Sequence, residues 1–492
     1  MTMPLSRRDF LKLTGLVAAS SALASCRPLY ELAGHPPLTG WLPLNPTDFR
    51  ALNRLTFGAR PAERARVAEI GLLAWVEEQL APDLIDDFAC SLRLRNLDTL
   101  AMTSQQLFDL SNKLFDDFDL ETVPNQLRQG TLIRQVYSQR QLYEVMVEFW
   151  NDHFNIATDK GECYYLKTID DRQVARAHAL GSFRDLLWAS AHSPAMLTYL
   201  DNQANHKGAP NENYARELLE LHTLGLRGGY SQADVMELAR CLTGWGVKEH
   251  FWRGEFTFNG EQHDSGEKFV LGVRIPPGGQ DEAESVLERL ARHPSTAQFV
   301  VEKLARRFLS DTPPAEIVQK AVQAFDVSSG DIRATLRVLL LDGLPLTGEK
   351  YRRPVNFVAA SLRMLNAESD CGPAVQDYLL RMGQVPFNWP TPDGYPDQAA
   401  AWQGNLMPRW QFAFALARNE LDKTEVDLPA LVAASACDNP LDAFSTLLLG
   451  SPLPAQEGKA LLASLRAAGA SDDELLPILA GGLLASPAFQ WR

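Results

Sequence analysis

The chain of 492 residues is 46% apolar and 22% charged, close to the globular averages of about 45–50% and about 25%. That balance excludes a disordered, collagenous or polytopic membrane protein, and the length predicts about three domains or two large ones. Asp and Glu number 61 against 47 Lys and Arg, a formal net charge of -14. With no clustered basic charge to meet a phosphate backbone, nucleic acid is not an expected partner.

Residues 1–25 read as a targeting segment. Ser6-Arg7-Arg8-Asp9-Phe10-Leu11-Lys12 precedes an apolar run from Leu13 to Leu23, the order of a twin-arginine signal peptide. The run is too short for a spanning helix, which needs about 20 residues. Leu23-Ala24-Ser25-Cys26 resembles a lipobox, so Cys26 is the expected lipidation site and first mature residue; cleavage by ordinary signal peptidase nearby is the alternative. Two acyl chains would anchor the body stably, while its acidic charge would keep it off anionic lipid. The expected location is therefore periplasmic or on the outer envelope face, touching a membrane through the lipid alone.

If Cys26 is lipidated, Cys90, Cys163, Cys241, Cys371 and Cys437 remain. An oxidising compartment permits disulfides, but an odd number leaves one thiol over. No spacing resembles a C-x-x-C clamp, so no cysteine metal site is expected.

Residues 26–45, with Pro36-Pro37 and Pro43, read as a tether. From Pro46 onward helical periodicity dominates, over 65–80, 126–154, 173–187, 213–224, 233–242, 282–290, 297–309, 332–341 and 354–365. One hairpin is predicted, Glu255–Phe258 turning at Asn259-Gly260 into Lys268–Leu271. The expected fold is mainly α, a multi-helix globular bundle over 46–492 with one small β-hairpin insertion, in one piece or two packed lobes. The proline-stiffened stretch Gln384–Asp397, with Trp389 and Tyr395, suits a lid or binding loop or, more commonly, a packed surface loop.

The richest stretch runs from Asp201-Asn202-Gln203-Ala204-Asn205 to His222 and Gly225. At about 100° per residue, Tyr214, Ala215, Leu218, Leu221 and His222 share one face. Glu212, Asn213, Arg216, Glu217, Glu220 and Thr223 fall on the other, where Arg216 has i,i+4 spacing to both Glu212 and Glu220. A second apolar stripe, Leu142, Val145, Met146, Phe149 and His153, carries another histidine, and Gln262-His263-Asp264-Ser265-Gly266 places a third beside a carboxylate. Histidine and carboxylate suit zinc, iron or manganese, and the oxygen-rich 201–205 loop suits calcium. No H-E-x-x-H occurs, and Glu220 and His222 are two residues apart, hence on different faces. The plain alternative is a solvated ion-paired helix face and a hydrogen-bonded core histidine.

Leu52-Asn53-Arg54-Leu55-Thr56-Phe57-Gly58, Phe149-Trp150-Asn151-Asp152-His153-Phe154, the Asn211–Gly225 helix, Leu242-Thr243-Gly244-Trp245, His263-Asp264 and Tyr351-Arg352-Arg353-Pro354 together resemble a bacterial family known as domain of unknown function 1800. The resemblance covers about Pro46 to the C-terminus. It implies an exported, largely helical protein without assigned catalytic residues, with a possible partner from the exported domain of unknown function 1501 family. Thr391-Pro392-Asp393 stands where a glycine-rich stretch is usual.

Three functions follow. In a metal- or cofactor-dependent enzyme, His153 or His222 would be ligand or general base, Glu217 and Glu220 ligand or acid/base, and Arg216 would orient a carboxylate or anionic substrate. The metal would draw on His153, His222, Glu217, His263 and Asp264. In a non-catalytic lipoprotein scaffolding a surface or polysaccharide assembly, the charged helix would be structural. In a haem peroxidase-like oxidase, the less favoured cofactor reading, Trp150-Asn151-Asp152-His153 would stand for a distal segment with Arg216 over the iron.

Overall fold

Residues 38, 41, 43–111, 119–250, 253–467 and 471–492 are described in the computed structural model. The signal segment 1–25 and Cys26 lie outside them. Among the described residues there are 24 α-helices and three two-stranded antiparallel sheets, so the chain is mainly α. No helix among them is long and apolar enough to cross a membrane.

Helix α1 (Pro46–Leu55) begins with proline at its first position and Asn45 accepting from the Asp48 N–H, two start signals that leave few backbone donors unpaired. The periodic stretch 126–154 divides into α2 (Thr122–Tyr137) and α3 (Gln141–His153) at an extended Ser138. Helix α3 buries its expected stripe, Leu142, Val145, Met146, Phe149 and His153, but also Glu144, Val147 and Asn151. Protein covers it on all sides, so polar residues on its back must find partners inside.

Helix α4 (Asn213–Glu217) runs into a π-helical turn over Leu218–Thr223. That turn corrects the expected faces. With i→i+5 bonding each residue advances by less than 100°, so Leu219 and Thr223 become fully buried while Leu221 does not. The Thr223 hydroxyl donates to the Leu218 carbonyl at 2.6 Å, closing the wide turn.

Helix α5 (Gln232–Cys241) follows, capped by a Ser231–Asp234 box. The single predicted hairpin is in fact two ribbons. Strand β1 (Trp245–Val247) pairs with β2 (Phe256–Phe258), and β3 (Lys268–Val270) pairs with β4 (Val273–Ile275). Asn259-Gly260 does not reverse the chain into β3. The tight turn is Leu271-Gly272, with φ of +50° and +71°, the positive pair that a two-residue hairpin needs. A leucine there hides the turn from sequence.

Helices α6 (Asp281–Ala291), α7 (Pro294–Phe308), α8 (Ala315–Val327) and α9 (Ile332–Leu341) pack in succession. Helix α10 (Pro354–Met364) has every residue buried and forms the centre. Beyond it lie the β5–β6 pair (Glu368–Ser369, Thr424–Glu425), α11 (Leu406–Ala417) and α12 (Asp472–Ala485). Buried apolar side chains form one contiguous cluster from Trp41 to Phe489, with Tyr351, Tyr395 and Trp402 as a small satellite. The five described cysteines are unpaired, and all but Cys437 are buried.

Candidate active site

The C-terminal end of α3, the last turns of α7 and residues 393–398 of the proline-stiffened loop meet around a cleft of about 190 Å³. His153 stands in its wall, 1% exposed. Rings of Trp150, Phe154, Phe183 and Phe299 lie 4.5 to 6.3 Å from the imidazole. Its Nε2 lies 3.0 Å from the His222 backbone carbonyl, and its Nδ1 lies 3.0 Å from Lys303 Nζ.

Those contacts fix its chemistry. A carbonyl can only accept, so Nε2 carries the proton and Nδ1 presents a lone pair to Lys303. Burial and the nearby lysine charge hold His153 well below the usual histidine range, so the ring stays neutral. Lys303 is half-buried in the cleft wall. Burial, aided by Arg306 and Arg307 and opposed by Asp152 and Asp397, presses its ammonium from 10.5 to about 8. Among the described residues no carboxylate lies within 4 Å of Nζ.

The surrounding charges are committed to one another. Arg353 donates to Asp152 at 2.6 Å and to Glu148 at 2.5 Å. Arg307 donates to Glu148 at 2.9 Å and lies 3.2 Å from Asp397, which also faces Lys350 at 3.4 Å. Burial, opposed by Arg353, raises the Asp152 carboxyl; Arg307 and Lys350 outweigh burial at Asp397 and hold that carboxyl far down. The loop is pinned on this cluster. Gly394 has φ +74°, and a Cβ there would collide with the Asp152 carbonyl oxygen. Asn155 donates to the Trp389 and Thr391 carbonyls at 2.9 and 2.7 Å, so Gln384–Asp397 is a packed loop whose end, from Asp393 on, walls the cleft.

Only part of the expected constellation assembles. His153 and His222 stand with ring centroids 6.3 Å apart. Both ring nitrogens of His222 are buried without a hydrogen-bond partner among the described residues, and burial lowers its pKa to about 3. Arg216 instead turns outward, donating to Glu212 at 3.0 Å, Glu220 at 3.4 Å and Gln232 at 2.8 Å. These side chains are one-fifth to two-fifths exposed, so the helix face is a solvated ion-pair ladder and Arg216 is not a partner of His153. Glu217 is half-buried; burial, with repulsion from Glu220 and Asp393, raises its carboxyl.

His263 and Asp264 belong to a different cluster. His263 Nδ1 lies 2.9 Å from the Thr243 carbonyl and Nε2 lies 3.2 Å from Glu282. Asp264 takes the Arg240 guanidinium at 2.9 and 3.1 Å, which lowers its carboxyl to about 2. Hydrogen bonds and ion pairs thus occupy the atoms that would ligate an ion. Among the described residues no group of three or more His, Cys, Asp or Glu is placed to hold a metal.

Sequence reading missed Lys303, Arg306 and Arg307, which sit on a helix recognised only by its apolar stripe. Their spacing of three and four is the one signal available: it puts three cations on one side of the last turns.

Fold and site together define a mainly α protein with a neutral histidine holding a lysine in a cleft wall. The chain belongs to the family described as protein of unknown function (DUF1800), whose model matches residues 50–491. Comparison with curated proteins and with solved structures gave no match.

Proposed function

We propose that the protein is an exported, lipid-anchored enzyme in which Lys303 is the general base or nucleophile and His153 orients it. The carrying observation is the 3.0 Å contact from Lys303 Nζ to His153 Nδ1 in a cleft wall, without a paired carboxylate among the described residues. One N–H of Lys303 is spent on His153, so the amine lone pair can be turned to the cleft once the proton leaves. An amine near pH 8 is both available and basic. Export and anchoring rest on the twin arginine and Cys26. The solvated Glu212–Arg216–Glu220 ladder favours a second role for that helix, as a structural or contact face of an envelope assembly.

The test is the titration of Lys303, followed by ¹³C-dimethylation and NMR of the folded full chain. The groups facing it are His153, His222, Asp152, Asp397, Arg306 and Arg307, and the expected midpoint lies near 8 while exposed lysines titrate near 10.4. Titration with the bulk lysines overturns the reading. Stability has a matching sign. Because the folded chain sheds this proton first, the group's burden is present at neutral pH and lifts as pH rises from about 8 towards 10.5. Lys303→Met is therefore expected to stabilise the fold at pH 7 by about 1–3 kcal/mol after allowing for cleft water, with the gain shrinking above pH 9.

A further inference from the structure

We infer that the cleft binds an oxyanion, the carboxylate, phosphate or sulfate of a small substrate, between Lys303 and Arg306. The inference deepens the enzyme reading and rests on it for calling the ligand a substrate.

The argument is one of uncommitted charge. Cleft-lining residues include Lys303, Arg306, Arg307, Asp152, Asp393 and Asp397. Asp152 is bonded by Arg353 and Arg307, and Asp397 is paired with Arg307 and Lys350. Asp393 accepts from the Trp389 indole at 3.0 Å and the Thr391 hydroxyl at 2.6 Å. Once those pairs are made, the cations Lys303 and Arg306 and the exposed carboxylate of Asp393 remain, so one positive charge is left over. The two cations lie three apart on α7, one turn along the same side of the helix. Arg306 has no ion pair among the described residues, and its Nε is buried without a hydrogen-bond partner.

A buried guanidinium N–H left unsatisfied is costly, so Arg306 is poised for an acceptor. A carboxylate or phosphate oxygen supplies one, and a planar guanidinium matches its geometry. The volume of about 190 Å³ falls below the roughly 300–1,000 Å³ of pockets for drug-sized ligands. It admits the anionic group and a few attached atoms. Asp393, exposed at the same wall, favours a hydroxyl on the attached carbon skeleton over a purely apolar tail.

Isothermal titration of the folded full chain with inorganic phosphate, with sulfate and with acetate, at 150 mM NaCl and pH 7, tests this. Saturable binding of at least one anion is expected, weakened tenfold or more in Arg306→Met and in Lys303→Met. Arg306→Lys, which keeps the charge, should retain part of it and guards against a folding defect. Repeated at pH 8.5, binding of these simple anions should take up protons, because an anion beside Nζ draws a proton back onto Lys303; a substrate seats its oxyanion on the Arg306 side and leaves Nζ facing the reacting group. Absence of binding, or binding equal in wild type and Arg306→Met, overturns the inference. The two readings fail separately. A Lys303 midpoint near 8 without anion binding removes the oxyanion site alone. Anion binding with an ordinary lysine midpoint removes the catalytic role and leaves a binding site.

Discussion

His222 shows how much one side chain can reveal. Its imidazole is fully buried with both nitrogens unpartnered among the described residues, so the neutral ring buries an N–H that no described residue accepts, at a cost of about 1–3 kcal/mol. His222 makes its one useful polar contact through its backbone, whose carbonyl fixes the His153 tautomer. A ring of similar shape without the polar atoms should therefore serve the fold better. His222→Phe is expected to leave stability unchanged or raise it by about 1 kcal/mol in urea unfolding, and to leave the Lys303 midpoint near 8. A loss above 2 kcal/mol would mean that the imidazole has a partner the fold depends on. That His222 would be buried was legible in its place on an apolar face. That it would act through its carbonyl was not, because backbone partners leave no residue-type signal.

At the scale of elements, the 384–398 loop and the π-turn carry the geometry of the cleft. Gly394 lets the loop pass directly over the end of α3, and the Asp397 pairs with Arg307 and Lys350 hold its far end. Gly394→Ala puts a methyl group against the Asp152 carbonyl at a positive φ. Expected are a stability loss of about 3 kcal/mol or more and faster hydrogen exchange confined first to residues 384–398. An unperturbed loop would show that the close approach is not needed. The helices over 233–242, 282–290, 297–309, 332–341 and 354–365 were legible to within three residues: four of them start at a cap or a proline, and all but 354–365, which is buried throughout, bury one stripe. The single-hairpin expectation failed where Leu271 occupies a conformation usually reserved for glycine or asparagine. The helix faces failed at Leu221 and Thr223, because a π-turn leaves no mark in composition. Lys303 was hidden for another reason. It stands on a helix whose apolar stripe explains it fully, and its role arises from α3, 150 residues earlier.

Across the whole molecule, distant segments are joined by buried arginines. Arg54 donates to the carbonyls of Leu309, Gly348 and Arg492, each at 2.7 Å. Arg363 donates to the Gly58 carbonyl at 2.9 Å and to Glu63 at 2.7 Å. With one contiguous core behind these ties, the chain should unfold as a unit despite its length. Calorimetry is expected to show one transition, and two resolved transitions would restore the picture of separable lobes. The cysteines add a practical consequence. Burial pushes the thiols of Cys163, Cys241 and Cys371 to about 12 and that of Cys90 higher still, so they resist alkylation while the fold holds. Cys437 alone of the five is partly open to water. A maleimide dye on a chain whose Cys26 is acylated or replaced should therefore attach at one address, giving a fluorescent reporter in the connection between two C-terminal helices without any engineered cysteine.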